Sequence, residues 1–337
     1  MKKALVTGGT GSVGPALVNY LKDKGWTVRV LVREKQPKCG FLQHVEQVKG
    51  DIKDPDSLKD AVAGVQIVFH LAACLHDNSK PGNLKEEYKN MNVNGTLNLF
   101  HTARYKNVER FIFFSTISVY EGQSAGREIR FFDESMKNLS PKSLYGKTKY
   151  EAELTIRKMA AHYPGYPAVT VLRLATVYGC RMKGNYRKLA GVIAKKGMFL
   201  CPGSGNNVRT LIHEEDAARA AFLAAVHPAA PGRVFNVTDA SVHRIRDIVD
   251  SMALALEKNI VKLYFPSALV SVILSAVKRT IVFRLKSVRE GVLMIEKLNE
   301  NVDASGYKLM HDLGFNPKWS LEEGMKDALK TWKKRIN

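Results

Sequence analysis

Short apolar runs alternate with stretches of helical spacing along the first half of this chain. Ala4-Leu5-Val6 is the first such run, unbroken and partly β-branched, as a strand buried on both faces requires. Pro15-Ala16-Leu17-Val18-Asn19-Tyr20-Leu21 then continues with helical spacing, and Pro15 suits a first helical turn, where no N–H is needed. Strand-like runs recur at Gly25 to Arg33, Val45 to Ile52, Gln66 to Ala73, Arg110 to Thr116 and Val169 to Leu174. Between them, helices are predicted from Asp54-Pro55-Asp56-Ser57, from Leu84 to Tyr105 and from Tyr145 to Arg157. Such alternation predicts an α/β fold with a doubly wound parallel sheet.

After Gly179 the pattern becomes irregular. Arg181 to Phe199 contains a helix, Pro202 to Asn207 forms a loop, and Arg233-Val234-Phe235-Asn236-Val237 reads as a strand rejoining the sheet. From about Arg244 onward the chain reads as mostly helical. The expected organisation is a first domain over residues 1–179, rejoined by about 208–243. A smaller, mostly helical substrate domain takes 180–207 and 244–337. Ser267 to Val277 stands apart: it is apolar, and Lys278, Arg279, Arg284, Lys286 and Arg289 follow it. It is too short to span a bilayer. A core or subunit-contact helix is one reading, and a basic helix lying on a membrane surface is the other.

Composition narrows the class. The 337 residues are 45% hydrophobic and 25% charged, as a soluble globular chain with one large domain and an appended smaller one would be. Cys39, Cys74, Cys180 and Cys201 are scattered without ligand-like spacing, so reduced thiols and no structural metal are expected. The formal charge of +20 suits an anionic partner of any kind. No basic run is interleaved with aromatics, so nucleic acid is not expected. The N-terminal apolar stretch breaks too early for a signal peptide, and a cytoplasmic location is expected.

The candidate chemistry begins at Thr7-Gly8-Gly9-Thr10-Gly11-Ser12-Val13-Gly14. Strand, glycine turn and helix are the context of a dinucleotide fingerprint, here spaced Gly8-x-x-Gly11-x-x-Gly14. Gly8 makes the tight turn, Gly11 admits a pyrophosphate, and Gly14 brings the helix close to the strand. The N–H groups around Ser12 and Val13 then face the phosphates. The fold expected is therefore a Rossmann sheet holding NAD(P). Val32 and Arg33 end the second strand where an acid would hold a 2′-hydroxyl, and Lys35 follows, which leans towards NADP. Asp51 and Ile52 suit an adenine contact, the carboxylate taking the amine and the side chain covering the ring. Leu71, Ala72 and Ala73 leave room for a ligand at the sheet's carboxyl edge. Polar residues around Asn92-Val93-Asn94-Gly95-Thr96 are read as braces for a neighbouring loop.

Tyr145 and Lys149 are four residues apart, on one face of the predicted helix. A neighbouring ammonium stabilises a phenolate, which makes the phenol usable as an acid or base near neutral pH. Thr116, ending the fifth strand, supplies a hydroxyl to the same substrate oxygen. The three together with the upstream glycine turn point to proton and hydride exchange at an alcohol or ketone.

On these residues the chain resembles an extended short-chain dehydrogenase/reductase of the NAD-dependent epimerase/dehydratase family, over nearly its whole length. The likeness takes in Gly50-Asp51-Ile52, Phe69 to Ala73, Asn92 to Thr96, Ser115 to Tyr120 and Tyr145 to Lys149. It implies that Thr116, four residues before Tyr120, is the catalytic hydroxyl in place of Ser115 or Ser118. It also implies that Tyr145 is the base and that Lys149 holds the nicotinamide ribose. Arg209, in Arg209-Thr210-Leu211-Ile212-His213, matches an Arg that pairs with a substrate diphosphate. Gly184-Asn185-Tyr186 with the Pro202 to Asn207 loop resembles enzymes of bacterial nucleotide sugars. A homodimer through two helices of the first domain is implied as well. Two departures stand out. Thr176 replaces an Asn of UDP-sugar epimerases, and Val32-Arg33 replaces their acidic strand end. Both occur in 3β-hydroxysteroid dehydrogenase and dihydroflavonol reductase groups, so a lipid-like alcohol is an alternative substrate. A non-catalytic dinucleotide sensor would keep the fold and lose the Thr116, Tyr145 and Lys149 set.

Overall fold

The computed structural model describes residues 2–34, 40–42, 45–75, 83–121, 131–280, 282, 285–298 and 300–336. Lys35 and Cys39 lie outside the described residues. Along the chain come β1 (Lys3–Thr7), α1 (Gly14–Asp23), β2 (Thr27–Val32), β3 (Glu46–Lys49), α2 (Leu58–Val62) and β4 (Ile67–His70). Next are α3 (Leu84–Lys89), α4 (Gly95–Tyr105), β5 (Arg110–Thr116), β6 (Phe131–Phe132), α5 (Leu144–His162), β7 (Ala168–Leu174) and β8 (Thr176–Tyr178). Then follow α6 (Gly184–Lys196), β9 (Met198–Pro202), β10 (Val208–Arg209), β11 (Leu211–His213), α7 (Glu214–Val226) and β12 (Val234–Val237). The last are β13 (His243–Arg244), α8 (Ile245–Ala255), β14 (Val261–Phe265), α9 (Ser267–Arg279), α10 (Lys286–Leu298), β15 (Asp303–Ala304), α11 (Tyr307–Leu313) and α12 (Leu321–Ile336).

Seven strands form one sheet in the order β12-β7-β5-β4-β1-β2-β3, and every neighbouring pair is parallel. Successive side chains of β1 alternate between two cores. Ala4 and Val6 pack on the side of α1 and α7, while Leu5 packs with residues of α2, α4 and α5. Both faces are covered, which is why these strands read as unbroken apolar runs. The chain reverses its direction of winding between β1 and β4. Ligands of such sheets bind in the crevice there, outside the carboxyl ends of the strands. A third core gathers Ile193, Phe199, Ile248, Met252 and Leu329 from α6, β9, α8 and α12.

Several expected elements change length. The third strand spans only Glu46–Lys49 and the fourth only Ile67–His70, so Leu71 to Ala73 is coil at the sheet edge. The helix from Leu84 to Tyr105 contains a π turn at Asn90–Asn94. α6 ends at Gly197, whose φ of +59° stops the helix, so Met198 and Phe199 belong to a strand. Nor is the chain beyond Arg244 all helical. β14 pairs in parallel with β9, Leu263 opposite Leu200. That contact joins distant segments and leaves no local turn signal. Finally, α9 is not a core helix: among its described side chains only Leu274 is buried.

Candidate active site

The crevice between β1 and β4 is shaped by glycines. Gly8 has φ +69°, and a Cβ on it would come within 2.7 Å of the Ala72 nitrogen. Only a residue without a side chain lets the turn lie this close to the chain leaving β4. Gly14 cannot carry a Cβ either, because Gly9 O would sit 2.2 Å away. Its close approach is therefore to the turn itself, whereas Gly9 takes the close contact with Val30 of the neighbouring strand. At Gly11 only Gly8 O is near, at 3.0 Å. The start of α1 has no side-chain cap and no acid in its first turn. Its uncapped N–H groups and dipole favour an anion.

Around this crevice the expected cofactor residues fall as follows. Val13 is buried, and Ser12 Oγ donates to Arg181 O at 3.2 Å, tying the turn to the segment after β8. Leu71, Ala72 and Ala73 are half-buried beside Gly8. Arg33 is exposed at the tip of β2, with Glu34 exposed beside it. Asp51 Oδ1 accepts from Lys53 N–H at 2.9 Å, a local turn that leaves Oδ2 unengaged among the described residues. Ile52 is only 3% exposed, and its side chain packs against Gly95 of α4.

A directed chain of hydrogen bonds stiffens the floor. Ala72 N–H donates to Thr7 Oγ1, whose hydroxyl donates to His70 Nδ1 at 2.7 Å. Thr96 gives its proton to Asn92 O, so it must accept from His70 Nε2–H at 2.9 Å. His70 is thereby fixed as a neutral ring, and burial followed by nearby Lys149 pushes its pKa well down. Asn92, in the π turn, clamps both the N–H and C=O of Cys74 and donates to Thr148 of α5. It braces the loop after β4, as the sequence suggested, and couples that loop to α5.

Thr116 and α5 meet because of a glycine that the sequence reading passed over. A Cβ on Gly146 would lie 2.7 Å from Ser118 O and 3.0 Å from Pro141. The start of α5 thus packs directly on the turn that follows β5. Ser143 caps that helix by accepting from Gly146 N–H at 3.1 Å, and Glu121 accepts from Ser143 N–H. Thr116 Oγ1 accepts from Ser118 N–H at 3.1 Å, which leaves its own hydroxyl proton to donate elsewhere. Ser115, by contrast, is spent: it donates to Glu153 Oε2 at 3.0 Å.

Tyr145 is half-buried. Burial, and then Tyr88, push its phenol above the usual range. Lys149 is 1% exposed, and burial pushes its amine down to about 7 against the pull of Glu153. Its Nζ lies 3.9 Å over the Phe113 ring, with no hydrogen-bond partner among the described residues. The expected lowering of the phenol by the amine is therefore not what the protein shows by itself. The amine rests on an aromatic face, and burial governs the phenol.

One turn further along α5, Glu153 is fully engaged. It forms a buried ion pair with Arg173 of β7, and Arg173 Nη1 donates to the Tyr120 hydroxyl at 2.8 Å. That hydroxyl donates to Asn236 Oδ1 on β12. The sequence reading missed this network. Its signals were an arginine inside an apolar strand and an acid two turns after Tyr145 on the same helix face.

Two expected substrate residues lie on the other side. Thr176 is half-buried on β8, which pairs in parallel with β11. Arg209 is 7% exposed, on β10 opposite His243. A surface ion pair is excluded: among the described residues no carboxylate bonds to Arg209, and its Nη1 has no hydrogen-bond partner. Burial pushes the guanidinium's pKa down, against the opposing pull of the Tyr186 phenol beside it and of the Glu300 carboxylate.

Residues 4–238 match the family model described as the NAD dependent epimerase/dehydratase family. The chain belongs to that family. It is accordingly an NAD(P)-dependent enzyme of the short-chain dehydrogenase/reductase type. It is 32% identical over 262 residues to a UDP-glucose 4-epimerase of Vibrio cholerae, covering 76% of each chain. A 3-beta-hydroxysteroid dehydrogenase of Mycolicibacterium neoaurum is 27% identical over 97% of this chain and 90% of that protein. The short-chain dehydrogenase/reductase family 42E member 1 of Xenopus laevis is 31% identical over 66% of this chain. That match spans only 58% of the Xenopus protein's length. Among solved structures, MoeE5 in complex with UDP-glucuronic acid and NAD superposes with a TM-score of 0.76. It has 24% identity and covers 99% of this chain and 100% of its own. Among the described residues no helix of this family member is long and apolar enough to cross a membrane.

Proposed function

We propose that this enzyme exchanges hydride at a secondary alcohol or ketone carbon of a nucleotide sugar. The observation that carries the reading is Arg209, a buried guanidinium to which no carboxylate is hydrogen-bonded among the described residues and whose Nη1 is unbonded, with only the charge of Glu300 acting on it from nearby. Burying an unpaired cation is costly. A diphosphate offers it bidentate, charge-assisted hydrogen bonds, which a neutral apolar alcohol cannot. Tyr186 beside it and the Vibrio relative's activity on a UDP-sugar support the same class.

The residues around β1 and β4 fit NAD(P): the Gly8 close approach, the uncapped start of α1, and the orphaned amine of Lys149. Gly8, Gly11, Ser12, Val13 and Gly14 would hold the pyrophosphate, and Asp51 the adenine amine through Oδ2. When bound, the nicotinamide accepts or returns the hydride and places a positive charge near the phenol. Lys149 Nζ would turn from the Phe113 ring to bond ribose hydroxyls. Tyr145, lowered by these cations, takes the alcohol proton as the carbon is oxidised and gives it back on reduction. Thr116 donates its free hydroxyl proton to the same oxygen and fixes its position. If the ketone rotates and stays, hydride returns to the opposite face and the sugar is epimerised. If it leaves, the outcome is oxidation or reduction. Arg33, exposed at the tip of β2, supports NADP.

A second reading, an apolar alcohol as substrate, draws on Thr176 and on the Mycolicibacterium relative. Hydride exchange with a panel of nucleotide sugars and apolar alcohols separates the two. Tyr145→Phe loses turnover on the order of 10²-fold or more while still binding cofactor; full activity in that variant refutes the assignment.

A further inference from the structure

The β9–β14 ribbon and α9 carry apolar surface that the enzyme reading does not use. Side chains alternate along each strand. Phe199 and Cys201 of β9 point into the third core, while Leu200, Val261 and Leu263 form the outer face. Leu269, Val272 and Ile273 of α9 stand at i, i+3 and i+4, one stripe of the helix. These six residues are 42% to 66% exposed. Chains rarely leave so many large apolar side chains together in water without a partner.

Charge says which partner. From Val261 to Arg289 the sequence carries Lys262, Lys278, Arg279, Arg284, Lys286 and Arg289, and not one Asp or Glu. Arg279, seven residues after Val272 and so on the same side of α9, is exposed, as is Arg289 of α10. α9 has 13 residues, about 20 Å of helix at the usual rise, against a hydrocarbon core of about 30 Å. It is long enough to lie in a membrane interface and too short to span it. A second copy on this face would still meet a surplus of cations, since the nearby Asp250 and Glu296 are already taken by Lys262 and Lys278, which opposes association.

We propose that this face docks the enzyme on the surface of an anionic phospholipid bilayer. The apolar side chains enter the interface, and the cations of the following segment meet the headgroups. The surface is joined to the catalytic helix by two ion pairs. Lys278 of α9 meets Glu296 of α10 at 2.5 Å, and Lys297 meets Glu121 at 3.0 Å. Glu121 in turn accepts from the Ser143 cap of α5. Docking is independent of which alcohol the enzyme uses.

Flotation of the full chain with vesicles tests it. Binding is expected to phosphatidylcholine vesicles containing phosphatidylglycerol, to weaken in high salt, and to be absent on phosphatidylcholine alone. Val272→Glu/Ile273→Glu, at exposed positions that should not disturb packing, reduces binding by more than about tenfold. Arg279→Gln/Arg289→Gln reduces it on the order of thirty-fold. Both variants keep the wild-type melting temperature and cofactor binding. Failure to bind phosphatidylglycerol vesicles in low salt overturns the proposal, as does equal binding by wild type and both variants. So does a dimer, seen by light scattering, that Val272→Glu/Ile273→Glu splits in a chain that ignores vesicles.

Discussion

Arg173 and Arg209 are both buried arginines on β-strands, and they live in opposite circumstances. Under the catalytic helix, Arg173 is saturated: Glu153 pairs with it and Tyr120 accepts from it. Burial opposes its charge, but Glu153 more than compensates and the guanidinium is held above its usual range. On β10, Arg209 is also shut off from water but pushed the other way, its Nη1 unbonded among the described residues. Lys149 resembles Arg209 in this respect and not its helix neighbour Glu153. A partnered buried cation belongs to the fold. One with an unbonded nitrogen is costly by itself, and on the reading proposed above a ligand completes it.

The comparison breaks first at Arg173. Arg173→Met leaves Glu153 buried without a countercharge, and a loss of about 3–5 kcal/mol in unfolding free energy is expected. Denaturant titration measures it as a lower midpoint. Arg209→Met should behave oppositely, melting no lower than wild type. Its kcat/KM for a nucleotide sugar should fall by about 2–3 kcal/mol, roughly 30- to 160-fold, carried mainly by KM. Equal kinetics in that variant would return Arg209 to the fold and favour the apolar substrate.

Lys149 sharpens the contrast through pH. Its pKa is lowered on folding, so the unfolded chain holds the extra proton between about pH 7 and its unfolded value near 10.4. Stability therefore rises with pH across that window, by at most about 1.4 kcal/mol per unit from this group. Subtracting the profile of Lys149→Met isolates the slope. The smallest effect is expected at the exposed Arg33, where Arg33→Gln shifts preference from NADP towards NAD by about tenfold, read from the two Kd values.

The same distinction explains what was legible in the sequence. The central sheet showed itself because each strand is a local apolar run between helices, and the glycine turn because its backbone demands are local. Tyr145 and Lys149 were singled out by their spacing on one helix, and Thr116 by its place at the end of a strand together with the family resemblance. The network below them joins α5, β7 and β12, and no spacing reveals such a join. Still, Arg173 inside Val169 to Leu174 was a visible clue, since a charge in a buried strand needs a partner. β9 was not read as a strand and β14 fell in a stretch read as mostly helical, because the two partners are far apart in the chain. For α9, composition announced an apolar helix, but only the packing shows that its stripe of Leu269, Val272 and Ile273 faces outward.

The most direct test is the melting temperature of wild type and Lys149→Met, each with and without NAD(P), at neutral pH. Without cofactor, the variant is expected to melt higher, by the equivalent of about 1 to 4 kcal/mol, because a costly buried charge is gone. With cofactor, the wild type should gain more and the gap should close or reverse. A variant that melts lower without cofactor, or an equal gain in both proteins, would contradict the claim that this amine waits for a ligand.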